Sequence, residues 1–292
     1  MNGITYELWK HIHQEHKKNT EQFSIVKLMT EYFDDIQEYG MSETSNFSIG
    51  WMCPIYKKND RNEIANYCPI TIINSDYKIL TKVLALRLAK VAPSLLHKSQ
   101  AGFVPGRSIA EQTKLIEMMI DYAEVSEQNG LIVALDQEKA YDKIAHYYLW
   151  KVLATFGIPE VFIKLVKALY QNAETTIMIN GHLSSTFKIT RGVRQGDPMS
   201  CLLFDLAIEP LAALLRASDL KEYDIPGNEE KLIANLFADD TTTFLSEDDN
   251  IEDLQIILTR WCKASTAKFN IQKTEIIPIG TQEHRAKVIE TR

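Results

Sequence analysis

Four consecutive residues, Phe237-Ala238-Asp239-Asp240, carry the clearest chemical potential in the chain. They lie between the apolar run Leu232–Leu236 and the β-prone run Thr241–Leu245. Two strand-forming segments joined by a short acidic element read as a hairpin with carboxylates at its tip. Aspartate is also a favoured turn residue, and taken alone the motif reads as a solvated turn. A second acid changes that reading, because Leu131-Ile132-Val133-Ala134-Leu135-Asp136 is another apolar strand ending in a carboxylate. Two buried strands that each deliver a carboxylate to one sheet edge suit divalent-metal chemistry. Hard cations such as Mg²⁺ take oxygen ligands, and two metals about 3.5–4 Å apart can clamp the attacking and leaving oxygens of a phosphoryl transfer.

The flanking elements follow from apolar spacing and end signals. Residues 5–39 are expected to be helical; His11, His13 and His16 fall there on different faces and read as solvated. A strand is expected over 47–56, a charged loop to Asn66, and a second strand at Pro69–Ile73. Asn74-Ser75 then caps a helix running from Asp76 to Val91 and stopped by Pro93. Gly102–Arg107 is a loop, and Ser108 with Glu111 is a capping-box pattern opening a helix to about Glu127. After Asp136 one helix carries Tyr141, Ile144, Tyr148, Leu149, Val152 and Leu153 to Gly157, and Pro159 opens another to Tyr170. Asn180-Gly181 marks a hairpin within 175–190. Asp197-Pro198 reads as the start of a very apolar helix reaching Arg216, which makes Asp197 a cap rather than a metal ligand. An amphipathic helix from Ile251 to Trp261 and a strand at Glu275–Ile279 close the core. Helices mixed with hairpin-paired strands define an α+β class.

Composition agrees with an ordinary globular protein: 292 residues, 45% hydrophobic and 24% charged. No run of apolar residues is long enough to span a membrane, so no membrane partner is expected. Cys53, Cys68, Cys201 and Cys262 are scattered without a CxxC pair. This argues against structural zinc or a disulfide scaffold and fits an intracellular setting, nuclear or cytoplasmic. The net charge of −7 is unlike the basic surface of most nucleic-acid-binding proteins, although Tyr56-Lys57-Lys58 with Arg61 is a local basic patch.

Several stretches, in order, resemble the reverse transcriptase of non-LTR (LINE-type) retrotransposons. Asp76–Lys82 and Gln100–Ser108 are similar to the fingers motifs, Leu135–Asp142 to the first palm motif and Arg191–Pro198 to the second. Phe237–Asp240 resembles the third and Lys268–Thr274 the fourth. The resemblance implies a right-hand polymerase with fingers and palm, an antiparallel palm sheet packed on helices, and a missing thumb. It places an N-terminal extension and fingers over 1–130 and the palm over 131–292, with the reverse transcriptase domain at about 47–280. It implies Mg²⁺, with Mn²⁺ as the alternative, held by Asp136, Asp239 and Asp240. The expected partners are an RNA template, a DNA primer and dNTPs.

By the same resemblance, Tyr141 is the sugar-discriminating residue, although it also fits the apolar face of its helix. Gln195 lies against the incoming nucleotide, and Gly196 permits close backbone approach. Lys273 approaches the pyrophosphate as general acid, and Lys78, Lys82 and Arg107 contact phosphate or template. Solvated charge is the competing reading for each of these cations.

Two positions depart from the family pattern. Cys68 precedes Pro69-Ile70 where an arginine is usual, which removes a bidentate triphosphate contact. Thr266 stands where glycine is common, and a left-handed turn there strains threonine by roughly 1 kcal/mol or more. The sequence thus supports an RNA-directed DNA polymerase domain. The alternatives are an inactive retrotransposon relic that at most binds nucleic acid, and a Mg²⁺-dependent phosphohydrolase. The latter leaves Tyr141, Gln195 and Lys273 without a purpose.

Overall fold

The computed structural model describes residues 10–11, 14, 24–42, 45–221, 223, 225 and 231–290. His13, His16 and most of the expected helix before residue 24 lie outside them. In chain order the elements are α1 (Ile25–Tyr39), β1 (Ile49–Tyr56), β2 (Tyr67–Ile73), α2 (Ser75–Leu95), α3 (Ile109–Ser126) and β3 (Gly130–Leu135). There follow α4 (Ala140–Lys143), α5 (His146–Thr155), α6 (Glu160–Gln171), β4 (Glu174–Ile179), β5 (His182–Leu183) and β6 (Phe187–Lys188). The last group is α7 (Ser200–Arg216), β7 (Ala234–Phe237), β8 (Asp240–Ser246), α8 (Ile251–Ser265), β9 (Glu275–Ile279) and α9 (Gln282–Glu290). Among the described residues no helix is long and apolar enough to cross a membrane.

The chain divides into two compact units that interleave along the sequence. One takes residues 1–85, 153–190 and 194–199; the other takes 86–152, 191–193 and 200–292.

In the first unit the sheet order is β2-β1-β4-β5, with β6 also on β4. β1 and β2 are antiparallel from Gly50↔Ile73 to Tyr56↔Tyr67, whereas β1 and β4 run parallel from Ile49↔Glu174 to Met52↔Ile177. The Asn180-Gly181 hairpin forms as its residue types predict, with φ of 50° and 80°. Parallel strands have no tight turn to fix their register, and here a buried cation helps to do so. Arg194 Nη1 donates to the Ser48 carbonyl at 2.7 Å and Nη2 to the Glu174 carbonyl at 3.4 Å. Its guanidinium also lies 5.2 Å from the Tyr77 ring centroid.

In the second unit the sheet order is β7-β8-β3-β9 and every pairing is antiparallel. Met119 and Ala123 of α3 pack on Ile132, Phe244 and Ile279 of this sheet, with Tyr223 closing the cluster. α7 is buried along most of its length, as its apolar sequence requires.

Three local expectations are corrected. α2 continues through Pro93 to Leu95; a proline two residues from the end removes one helical N–H, and the carbonyls beyond it are satisfied from outside. Arg107 donates from Nη2 to Pro93 and Leu96 and from Nη1 to His97 and Gln100. The single helix expected after Asp136 breaks at Ile144, where ψ is 120°. There the backbone is drawn into other bonds: Ala145 N donates to Ser265 O at 2.8 Å and Gly192 N to Ile144 O at 2.6 Å. The apolar helix after Asp197 starts at Ser200; Asp197 Oδ1 accepts from Met199 N at 2.9 Å, so its capping character stands.

Candidate active site

The acids are brought together by strand register. Leu135 of β3 pairs with Thr241 of β8, and Phe237 of β7 pairs with Asp240. One step beyond Leu135 stands Asp136, so it emerges at the edge where the β7–β8 turn carries Asp239. Gln137 Nε2 donates to the Asp239 carbonyl at 3.1 Å, tying the two segments.

The turn itself is clamped. Ala238 adopts φ 54°, an uncommon conformation for a residue with a Cβ. The buried Gln100 side chain secures it: Oε1 accepts from Ala238 N at 3.0 Å and from Gly102 N at 2.8 Å. The approach of the Gln100–Gly102 loop is so close that a Cβ on Gly102 would lie 2.2 Å from Ala238 N. Only glycine fits.

The fourth palm-like stretch extends the same edge. Asn270 N donates to Asp136 O and Glu138 N to Lys268 O, both at 2.8 Å. Glu138 accepts ion pairs from Lys268 at 2.9 Å and Lys143 at 3.4 Å, which hold its carboxyl below the usual range. Lys273 follows on an exposed 3-10 turn after Asn270. Thr266 does take a left-handed conformation, φ 62°, closing α8. Its Oγ1 donates to Lys143 O at 2.5 Å.

Tyr141 follows Asp136, on α4, and packs on α7. Its ring stacks on Phe204 with centroids 4.7 Å apart and planes at 12°. Burial, a hydrogen bond shared with Cys201, and the carboxyls of Asp205 and Asp239 all push its hydroxyl well up, so it stays protonated. Asp205 is fully buried on α7, and neither of its carboxyl oxygens has a hydrogen-bond partner among the described residues. Burial first, then repulsion from Asp239 and Glu209, raise it from 3.8 to about 8.

Among the described residues no three His, Cys, Asp or Glu side chains form a metal-holding cluster. The expected set Asp136, Asp239 and Asp240 is therefore not preassembled as a three-acid cage. Asp240 is exposed. The donor chemistry nevertheless fits a hard divalent cation, with strand-borne carboxylates at one edge and a buried, unpartnered carboxyl acting on Asp239.

The remaining candidates divide between the units. Arg107 belongs to the second, but its guanidinium is committed to the main-chain carbonyls that end α2, so its assignment to phosphate or template is corrected to a structural one. Lys78, half-buried, and Lys82, exposed, lie on the part of α2 within the first unit. Gln195 and Gly196 are in the first unit too. Gln195 O accepts from Thr71 N at 3.2 Å, and Gln195 Oε1 accepts from the Cys68 thiol at 3.7 Å. The backbone that Gly196 admits is that of β2: with φ 103°, a Cβ there would lie 2.3 Å from Thr71 O. Gln100, Gln137, Arg194 and Asp205 had no assigned role from sequence. Asp205 and Glu209 did leave a signal, two acids four residues apart inside an otherwise apolar helical run.

A carboxylate-bearing edge on an antiparallel sheet, pinned by buried glutamines, is the main candidate site among the described residues. Comparison with known proteins agrees. Residues 55–287 match the reverse transcriptase (RNA-dependent DNA polymerase) family. The Transposon TX1 uncharacterized 149 kDa protein of Xenopus laevis is 34% identical over 222 residues, 75% of this chain and 17% of that protein. The Pol polyprotein of a type-1 retrotransposable element R2 from Popillia japonica is 29% identical over 203 residues, 68% of this chain and 27% of that protein. The fold is shared with telomerase from Candida tropicalis, solved with a fragment of telomeric RNA: TM-score 0.58, 14% identity, covering 87% of this chain and 44% of that one. The chain belongs to the reverse transcriptase family, of the non-LTR retrotransposon type that its motif order resembles. It spans roughly a fifth to a quarter of the retrotransposon proteins it matches.

Proposed function

We propose that this chain catalyses RNA-directed DNA synthesis, extending a DNA primer 3′ end on an RNA template with dNTPs. The second unit is the palm and the first contributes the fingers. The observation that carries this reading is the β3/β7–β8 edge, where Asp136 and Asp239 are tied through Gln137 and the turn is clamped by Gln100.

Asp136 and Asp239 would hold Mg²⁺, with Asp240 adding negative charge from the exposed side. When bound, the metal lowers the pKa of the primer hydroxyl and neutralises the triphosphate. The protein's own residues set the geometry. Gln100 and Gln137 hold the turn so that the Asp239 carboxylate needs little reorganisation. Tyr141, braced on Phe204, presents a rigid ring to the nucleotide sugar and excludes a 2′-hydroxyl. Lys273, exposed at the same edge through Asn270, donates a proton to the leaving pyrophosphate. Gln195, Gly196, Lys78 and Lys82 are proposed nucleotide contacts, each to be tested by its own substitution.

The test is primer extension on an RNA template with purified protein, Mg²⁺ and dNTPs, beside Asp239→Ala. Extension by the parent chain that is lost in the variant supports the reading. Absence of extension in a cooperatively folded parent chain would favour the inactive relic, for which the uncharged Cys68 is the specific observation.

A further inference from the structure

A surface helix turns its apolar residues inward and leaves a polar, charged face to water. α2 follows this rule on its inner side, where Tyr77, Leu80, Leu84, Leu88 and Ala92 are buried. Its outer side breaks it. Ile79, Val83 and Leu86 stand at i, i+4 and i+7 and share one stripe; Val83 and Leu86 are 39% and 53% exposed. Lys78 and Lys82 border the stripe on one side and Arg87 on the other, and Lys90 continues it by one turn. After Asp76 the helix carries no acid. None of these four cations has an ion pair among the described residues. An apolar seam flanked by charge of one sign is the pattern by which one helix selects another.

α1 carries the complementary pattern. Of its residues only Ile36 is buried. Leu28, Tyr32 and Tyr39 lie at i, i+4 and i+11, and Leu28 and Tyr39 are 53% and 77% exposed. Asp35 stands at i+7 in the same row, with Glu31, Asp34 and Glu38 beside it, against the single cation Lys27. Tyr32 is braced edge-on against Phe47, ring centroids 5.6 Å apart, so little side-chain freedom is lost when a partner covers it.

We propose that the outer face of α2 docks on α1 of a second copy of this chain, apolar row against apolar row and Lys/Arg against Asp/Glu. Charge complementarity singles out this occupant. The net charge of −7 opposes random encounter of two copies, whereas two faces of opposite sign bring them together in one orientation. A nucleic-acid backbone would neutralise the cations of α2 but leave Val83, Leu86 and the apolar row of α1 in water. The inference is independent of the polymerase reading.

The test is sedimentation equilibrium of the full chain, cleared of nucleic acid with nuclease, in low and high salt, beside two charge-reversed variants. Arg87→Glu/Lys90→Glu makes α2 acidic, and Asp35→Lys/Glu38→Lys makes α1 basic. All four positions are exposed, and thermal melting checks that each variant folds; the single changes Lys90→Glu and Glu38→Lys replace a pair that melts early. The parent is expected to exceed the monomer mass of 33.4 kDa as its concentration rises, and to do so less in high salt. Each variant alone should raise the dissociation constant at least about tenfold, because like charges now face each other. Mixed, the two variants should associate again: the acidic α1 of the first meets the basic α2 of the second, and its acidic α2 meets the basic α1. A merely damaged fold would not give that recovery. A parent that stays at the monomer mass overturns the inference, as does undiminished association of either variant or a mixture that stays monomeric. A monomeric parent that binds a short oligonucleotide, with Arg87→Glu/Lys90→Glu releasing it, overturns the inference in favour of a nucleic-acid track on α2.

Discussion

Replacing Gln100 with alanine tests whether the β7–β8 turn is held by a side chain. Gln100 is fully buried, and its Oε1 accepts from two main-chain amides, Gly102 N at 2.8 Å and Ala238 N at 3.0 Å. Its Nε2 lies 3.5 Å from Ala238 O, at the limit of a useful bond, and contributes little. Alanine orphans both amides, and each buried unsatisfied donor costs about 1–3 kcal/mol, so the sum is about 2–6 kcal/mol. The space left is polar enough for a water to recover part of this, which favours the lower end, about 2 kcal/mol. Against a typical total stability of about 5–15 kcal/mol the variant still folds. Urea unfolding followed by circular dichroism reads the loss directly. Primer extension should fall as well, because Ala238 is released from φ 54° and Asp239 with it. A loss under about 0.5 kcal/mol would refute the clamp and show that the strand pairings alone hold the turn.

Other perturbations probe other links. Thr266→Gly should raise stability by up to about 1 kcal/mol in the same urea assay. It relieves a left-handed β-branched residue at φ 62° while losing one exposed hydroxyl bond; a lowered midpoint would show that the bond outweighs the strain. In chelator, Asp205 keeps a proton that the unfolded chain releases near 3.8, and the native group holds it up to about 8. The contribution of Asp205 to stability should therefore be fully present below about pH 4 and fall away as pH rises toward 8. Asp205→Asn should remove that contribution, and an unchanged profile would show that the buried carboxyl is not held protonated. Tyr141→Phe keeps the Phe204 stack and should still reject ribonucleotides, whereas Tyr141→Ala should incorporate them; unaltered rejection by the alanine variant removes Tyr141 from sugar selection. Cys68→Arg restores a cation beside Gln195 and should lower the apparent KM for dNTPs, with no change counting against the nucleotide role of that position.

What the sequence determined was set by local physics. The capping box of Ser108 and Glu111 formed as written. So did the Asn180-Gly181 hairpin, and the acids stood at the ends of β3 and the β7–β8 turn, because cap, turn and alternation signals act over a few residues. The left-handed geometry at Thr266 was legible only through the resemblance, which has glycine there, and family order identified the polymerase lineage. Tertiary structure decided where partners came from far along the chain. Arg107 looked like a phosphate contact until its donors met the carbonyls ending α2, a helix that runs two residues past Pro93. The helix after Asp136 broke because Ser265 and Gly192 bond Ile144 and Ala145, residues distant in sequence. Gln100 became a clamp only when its loop met the turn at Ala238, and Asp205 became an unpartnered acid only once α7 buried it. Spacing along a chain records periodicity and caps; it does not record which distant backbone group or charge will occupy the other side of a buried side chain. That is settled when the elements pack.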